Sequence, residues 1–288
     1  MNENELSDAI AELIRIASTN LPSDVVDALR KAVDSEDTEN GRAQLSAIIE
    51  NIELAARENK PICQDTGTQT FFVTVGTGFP YADMVEAAII EGVRKATEIV
   101  PLRANAVDLL TGRNSGNVGK HVPFIHWTLV KGDKCEITAF PKGGGSENMS
   151  ALRMLKPSEG MEGVKKFVLE HMVRAGGNPC PPTIVGVGIG GGADIAMELA
   201  KRSLLRPVGD RSGIDEIAGM EEELTDAINS TGIGPMGLGG RTTVLDVHIE
   251  TAARHPASLP VGIAVQCWAD RRARMTIDSN GKIEWHRN

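Results

Sequence analysis

Three cysteines set in stiff stretches of chain and far apart in sequence constrain this protein more than any other feature. Cys63 lies in Lys60-Pro61-Ile62-Cys63-Gln64-Asp65-Thr66-Gly67, Cys180 in Gly177-Asn178-Pro179-Cys180-Pro181-Pro182, and Cys267 in Ala264-Val265-Gln266-Cys267-Trp268-Ala269. Separations of 117 and 87 positions exclude the local paired spacing of a zinc ribbon or a two-cluster ferredoxin. Spacing leaves two readings open: thiolates that the fold gathers around one metal, or separate buried thiols. If gathered, three protein ligands rather than four would leave one metal position for a substrate. The fourth cysteine, Cys135, shares a strand face with Ile137 and Ala139 and reads as a small core residue.

A chain of 288 residues, 41% of them apolar and 24% charged, has ample material for a core, as one large domain or two modest ones. Its net charge of -9 argues against nucleic acid or an anionic membrane as the main partner and favours small-molecule chemistry. The acidic start, Met1-Asn2-Glu3-Asn4-Glu5, lacks the basic and apolar parts of a secretory signal, and no apolar run approaches membrane-spanning length. Four cysteines in such a chain point to reduced thiols and a cytoplasmic location rather than to disulfides.

Apolar periodicity predicts helices over the first sixty residues, with Leu6, Ile10, Leu13, Ile14 and Ala17 on one stripe and Leu45, Ile48, Ile49, Ile52 and Ala55 on another. Thr70 to Val75 reads as a strand ending at Gly76, followed by a helix from about Met84 to Ile99 and a long polar loop from Pro101 to Gly119. Phe124 to Val130 and Lys134 to Phe140 are expected to form a hairpin about Lys131-Gly132-Asp133. A helix near Met161 to Ala175, a strand from Thr183, a helix from Ala193 to Leu205, strands at Thr242 to Glu250 and Val261 to Gln266, and a terminal hairpin at Asp278 to Gly281 complete the pattern. The expectation is one α/β domain over 1–288 with a mixed sheet, in which a helical N-terminal segment (1–59) precedes the body (60–288).

Two glycine runs invite ligand readings. Gly186-Val187-Gly188-Ile189-Gly190-Gly191 formally matches a dinucleotide fingerprint, which would make the chain an NAD(P)-binding dehydrogenase, although Arg206 to Gly209 is a poor second strand before Asp210. The plainer alternative is a tight strand-to-helix turn. Lys142-Gly143-Gly144-Gly145 is either a flexible turn or a nest of amides for an anion. His255, in Ala253-Arg254-His255-Pro256, reads by itself as a surface-loop histidine.

Taken together, Cys63 to Gly67, the loop Pro101 to Val107, Lys142 to Asn148, Asn178 to Pro182 with its glycine run, and the Cys267 segment resemble the alpha-type chain of the iron-sulfur hydro-lyases, namely class I fumarate hydratases and L-tartrate dehydratases. The resemblance covers nearly the whole chain, in order. It implies a [4Fe-4S] cluster on Cys63, Cys180 and Cys267, with its fourth iron available to substrate as a Lewis acid. It also implies Gln64, Arg103, Lys142, Gly143, Gly144 and Gly145 as substrate contacts, with Asp65 and His255 as catalytic residues and His255 near the cluster. Arg103 suits a bidentate carboxylate contact in a way a lysine would not. Fumarate hydration, a step of the tricarboxylic acid cycle, is the first expectation for the reaction, and tartrate dehydration to oxaloacetate the second. A zinc-bound scaffold without activity is a third class, with three thiolates and a histidine closing the site.

Charge counting adds one further expectation. A cluster with three thiolates carries about -1, and a dicarboxylate adds about -2. Arg103 and Lys142 do not offset that, and no basic residue for proton abstraction stands out. In the resembled family a second module completes the site, so a heterotetramer with a beta subunit is expected, its alpha chains paired.

Overall fold

The structure, a computed structural model, describes residues 1–286; the last two positions of the expected 60–288 body lie outside the described residues. The chain forms two compact units, one built from residues 1–22, 51–144 and Arg271 onward, the other from residues 23–50 and 145–270. The expected N-terminal helical segment is present as α1 (Glu3–Thr19), α2 (Ser23–Ser35) and α3 (Glu39–Glu58). It is divided between the units: α1 belongs to the first, α2 to the second, and α3 passes from one to the other after Glu50.

In the first unit, α1 starts at a capping box. The Asn2 side chain accepts from the Glu5 amide at 2.9 Å, and the Glu5 carboxylate accepts from the Asn2 amide at 2.9 Å. Its stripe of Leu6, Ile10, Leu13, Ile14 and Ala17 is buried, as the periodicity predicts, together with Val85, Ala88, Ile89 and Val93 of α4 (Val85–Ile99). The two helices touch at Gly92, where a Cβ would stand 2.5 Å from Ile10 Cγ2. Beside them lies a five-stranded sheet of β1 (Thr70–Gly76), β2 (Phe124–Val130), β3 (Cys135–Ala139), β8 (Ala273–Ile277) and β9 (Ile283–His286), in the order β2-β1-β3-β8-β9.

That order corrects the hairpin expected for β2 and β3. Both strands pair with β1, β2 parallel and β3 antiparallel, so β1 lies between them. The apolar Thr70–Gly76 strand is buried along nearly all its length, whereas β2 is largely exposed, so burial puts β1 inside and β2 at the edge. The connection between β2 and β3 crosses the end of β1 at Gly76, where a Cβ would lie 2.5 Å from the Gly132 carbonyl carbon. The terminal hairpin of β8 and β9 forms as expected.

The second unit is a four-stranded sheet of β4 (Ala151–Leu155), β5 (Thr183–Gly191), β6 (Val244–Arg254) and β7 (Leu259–Gln266), in the order β4-β7-β5-β6. Residues alternate on β5: Val185, Val187 and Ile189 join the core that includes α6 (Gly160–Ala175) and α8 (Asp215–Asn229), while Gly186 and Gly188 face α7 (Ala193–Ser203). A Cβ at either glycine would stand 2.0 Å from a carbonyl oxygen of α7, Ala200 O or Ala196 O. Helix backbone rests on strand backbone here, and only glycine permits it.

Glu36, buried after α2, caps the entry to β6. Its carboxylate accepts from the amides of Arg241 (2.8 Å) and Thr242 (3.0 Å) and from the Thr38 hydroxyl (3.1 Å). Burial alone would raise its pKa, but the amides of Arg241, Thr242 and Thr38 and the Thr38 hydroxyl outweigh it and hold the carboxyl at about 2. A depressed folded-state value stabilises the fold above the ordinary carboxyl range, and that contribution fades as pH falls through about 2. Glu36→Gln is therefore expected to cost about 2 kcal/mol at neutral pH. It should also flatten the decline in stability between about pH 4.5 and 2, as read by urea unfolding at stepped pH.

Candidate active site

The turn after Cys63 is held by its own polar groups. Asp65 accepts through Oδ1 from the Gly67 amide at 3.0 Å and through Oδ2 from the Gly144 amide at 2.8 Å, tying the Cys63 turn to the Lys142–Gly144 loop. Thr68 and Lys142 exchange two backbone bonds, Thr68 N to Lys142 O at 2.9 Å and Lys142 N to Thr68 O at 3.0 Å. Gly67, at φ +79, brings the chain so close that a Cβ would lie 2.9 Å from the Lys142 backbone. The Lys142 side chain is buried.

Arg103 is delivered to the same turn by main chain rather than side chain. The Thr66 hydroxyl accepts from the Arg103 amide at 3.1 Å and from Asn105 Nδ2 at 3.2 Å, while Asn105 also donates to Gly67 O at 2.9 Å. Asn117 secures the other side, its Nδ2 donating to Arg103 O at 3.0 Å and its Oδ1 accepting from the Asn105 amide at 3.1 Å. The expected donors of the Pro101 to Gly119 loop thus order the loop itself and leave the Arg103 side chain exposed. Gln64 is exposed and Cys63 half-buried. Cys63, Gln64, Asp65, Arg103, Lys142, Gly143 and Gly144 all belong to the first unit, on segments joined by these bonds.

In the second unit, Cys180 and Cys267 are brought to neighbouring backbone. The Trp268 amide donates to Cys180 O at 3.3 Å. Cys180 has φ +55, its amide bonded to Gly177 O at 3.1 Å, and the Pro181 carbonyl accepts from the Met236 amide at 2.8 Å. Gly145 approaches this loop, with its Cβ position 3.8 Å from Asn178 O. Ser146 Oγ donates to Gln266 Oε1 at 3.3 Å, just before Cys267.

Donor chemistry separates the cysteines. Cys63, Cys180 and Cys267 are half-buried thiols outside any disulfide, the soft donors that iron-sulfur and zinc sites use. Cys135 is fully buried on β3, where burial, with Glu136 beside it, pushes the thiol up to about 12. Cys135 is a core residue, as its strand position implies. Among the described residues, no three His, Cys, Asp or Glu side chains stand together as a ligand group.

His255 is not brought to Cys267 within the chain. It occupies the exposed turn between β6 and β7, its Nδ1 accepting from the Ala257 amide at 3.1 Å. Cys267 follows the opposite end of β7, an eight-residue strand, and a strand of that length spans about 26 Å. The dinucleotide reading of Gly186 to Gly192 also loses its physical basis. Gly186 and Gly188 are needed for packing against α7, a Cβ on Gly190 would stand 2.0 Å from Ala252 O, and the Asp194 carboxylate occupies the first turn of α7, where a phosphate would have to sit.

Sequence comparison decides the family. The chain matches the family described as Fumarate hydratase (Fumerase) over residues 7–276. It belongs to that family. Among its relatives, a Methanocaldococcus jannaschii protein named "Putative L(+)-tartrate dehydratase subunit alpha" is 52% identical over 97% of this chain and 100% of its own length. The Escherichia coli (strain K12) L(+)-tartrate dehydratase subunit alpha is 38% identical over 98% of this chain and 93% of its own. The chain is thus a hydro-lyase of the fumarate hydratase family, and the resemblance seen in its motifs holds over nearly its full length.

Sequence reasoning missed Arg271. Its Nη1 donates to Asp65 O at 2.8 Å, and it is buried. The only signal was its place in Asp270-Arg271-Arg272-Ala273-Arg274, directly after the Cys267 segment, and nothing in that string distinguishes a buried arginine from a surface one.

Two substitutions test this arrangement. Gly67→Ala combines a strained φ with a backbone collision, so thermal denaturation should reveal a loss above about 2 kcal/mol. Asp65→Asn puts an amide NH2 against a backbone donor. Hydrogen exchange should then quicken at Gly67 or Gly144 while the amides of β1 keep their protection.

Proposed function

We propose that this chain is the alpha subunit of an L(+)-tartrate dehydratase, a [4Fe-4S]-dependent hydro-lyase converting tartrate to oxaloacetate with a beta subunit. The reading is carried by full-length similarity to proteins bearing that name, at 52% and 38% identity. It replaces fumarate as the first choice of substrate. Fumarate hydration to malate stands second, favoured by the description of the matching family.

In this reading the whole chain acts as one catalytic module, and Cys63, Cys180 and Cys267 hold the cluster. When bound, the cluster supplies a Lewis acid for the departing hydroxyl. The chain's own residues bind and orient the diacid. Arg103, kept in place through its amide and carbonyl, offers an exposed fork to one carboxylate. Gln64 offers its side-chain amide, Gly143, Gly144 and Gly145 let the diacid approach the backbone closely, and Lys142 adds a buried cation. Asp65 orders the glycine loop, because both its oxygens already accept from amides. His255 has no part beside Cys267 in the same chain.

The proton-abstracting base and further cations come from the partner in this reading, which accounts for the charge shortfall. Exposed apolar residues on the edge strand β2, with Phe124 at 54% and Leu129 at 71% exposure, are of the kind a subunit interface covers. We place the enzyme in the cytoplasm, as a heterotetramer with paired alpha chains; among the described residues no helix is long and apolar enough to cross a membrane.

The test is anaerobic co-purification with the beta subunit, followed by assays with L(+)-tartrate and fumarate. Oxaloacetate formation from tartrate is expected, with brown colour that air bleaches. Cys63→Ser, Cys180→Ser and Cys267→Ser should each lose iron and colour, whereas Cys135→Ser should keep both. Full turnover by the alpha chain alone, or undiminished iron in the three serine variants, would overturn the reading.

A further inference from the structure

Arg271 is the largest of the fully buried side chains, at 1% exposure. Its hydrogen bonding is sparse for a group with five donors. Nη1 donates to Asp65 O at 2.8 Å, Nε is buried and bonded to nothing among the described residues, and no carboxylate there pairs with the guanidinium. Elsewhere the protein pairs its partly buried arginines with buried acids, Arg206 with Glu221 and Arg211 with Asp246. An arginine cannot shed its proton to escape burial, so the charge persists. A buried charge without a direct ion-pair partner is costly and leaves room for an anion, because the Asp65 carboxylate close by commits both its oxygens to amides.

The surroundings indicate where that anion would bind. Arg271 Nη2 lies 3.6 Å from the Cβ position of Gly143, and Asp65 Oδ2 lies 3.2 Å from the same point. Both Asp65 oxygens turn to the amides of Gly67 and Gly144. The guanidinium thus lies beneath the Gln64–Asp65 turn and the start of the glycine loop, while Gln64 and Gly144 are exposed above it.

We propose that Arg271 is a positioning residue for an anionic substrate. Its bond to Asp65 O fixes the turn, and its fixed charge gives the Gln64–Gly144 surface a positive potential that draws a dicarboxylate. This rests on the functional reading above and supplies, from within the chain, part of the positive charge that Arg103 and Lys142 leave short. A buried source is screened far less by salt than a surface arginine.

The experiment is thermal unfolding and calorimetry of the full alpha chain, with L(+)-tartrate or malonate against sodium chloride at matched ionic strength. Wild type should melt higher with either dicarboxylate than with chloride. Arg271→Met should melt within a few degrees of wild type in chloride, having lost both a buried charge and a bond, but should lose the dicarboxylate-dependent rise, with affinity weaker by about tenfold or more. Arg271→Lys, which keeps the charge, should retain much of the rise, and it decides the matter if the methionine variant does not fold. The proposal is overturned by an unchanged rise in Arg271→Met, by an equal loss of stability with and without dicarboxylate, by a folded Arg271→Lys without the rise, or by a wild type that tells no dicarboxylate from chloride. Failure of the functional reading has a different signature: dicarboxylate binding that depends on Arg271 in an enzyme that turns over neither tartrate nor fumarate.

Discussion

The first unit's share of the site depends on how the Asp65 carboxylate is used. One side chain closes its own turn through Gly67 and fastens the glycine loop through Gly144, at 3.0 and 2.8 Å. Charge-assisted bonds to backbone amides are stronger than neutral ones, and the one to Gly144 connects segments 79 residues apart in sequence. Everything else attaches to that knot. Thr66 holds the Arg103 loop, the Thr68–Lys142 pair continues the ladder toward β1, and Arg271 grips the Asp65 carbonyl. A side chain that the family resemblance implies as catalytic is, by geometry, bonded to the loops around it and orders them.

The second unit solves a different problem. Cys180 and Cys267 flank the Trp268-to-Cys180 backbone bond, one on a turn with a left-handed φ and the other just past the end of β7. The sheet behind them is packed by glycines against α7 on one face and by branched aliphatics on the other. Loops supply the thiols and regular structure fixes their bases, the usual division between functional loops and a rigid scaffold.

Much of this was legible in the residues. Helix stripes, most strands and the terminal hairpin follow from apolar periodicity and turn residues, because those signals are local. The order of β1, β2 and β3 was not legible, since a short connection between two strands predicts adjacency and only relative burial reveals that β1 intervenes. The acid-rich helix α8 has a sparse apolar stripe of Met220, Leu224 and Ile228, and β4 is short and mostly exposed; neither was anticipated. The Gly186 run misled in another way: glycines that admit a helix backbone look in sequence like glycines that admit a phosphate. Cys135 could be set aside because strand alternation gives its burial, while Arg271 could not be found because a buried guanidinium leaves no mark on its neighbours in the chain.

The contact of α7 with β5 and β7 also bears on motion. Ala196 O and Ala200 O stand 2.0 Å from the Cβ positions of Gly188 and Gly186, and Ala196 O stands 2.5 Å from that of Gly262 on the strand that leads to Cys267. Two backbones in direct contact have no pliable side chains between them to absorb a displacement. A displacement at the Cys267 end of β7 is therefore passed on to α7 instead of dissipating locally, so strand and helix act as one stiff lever.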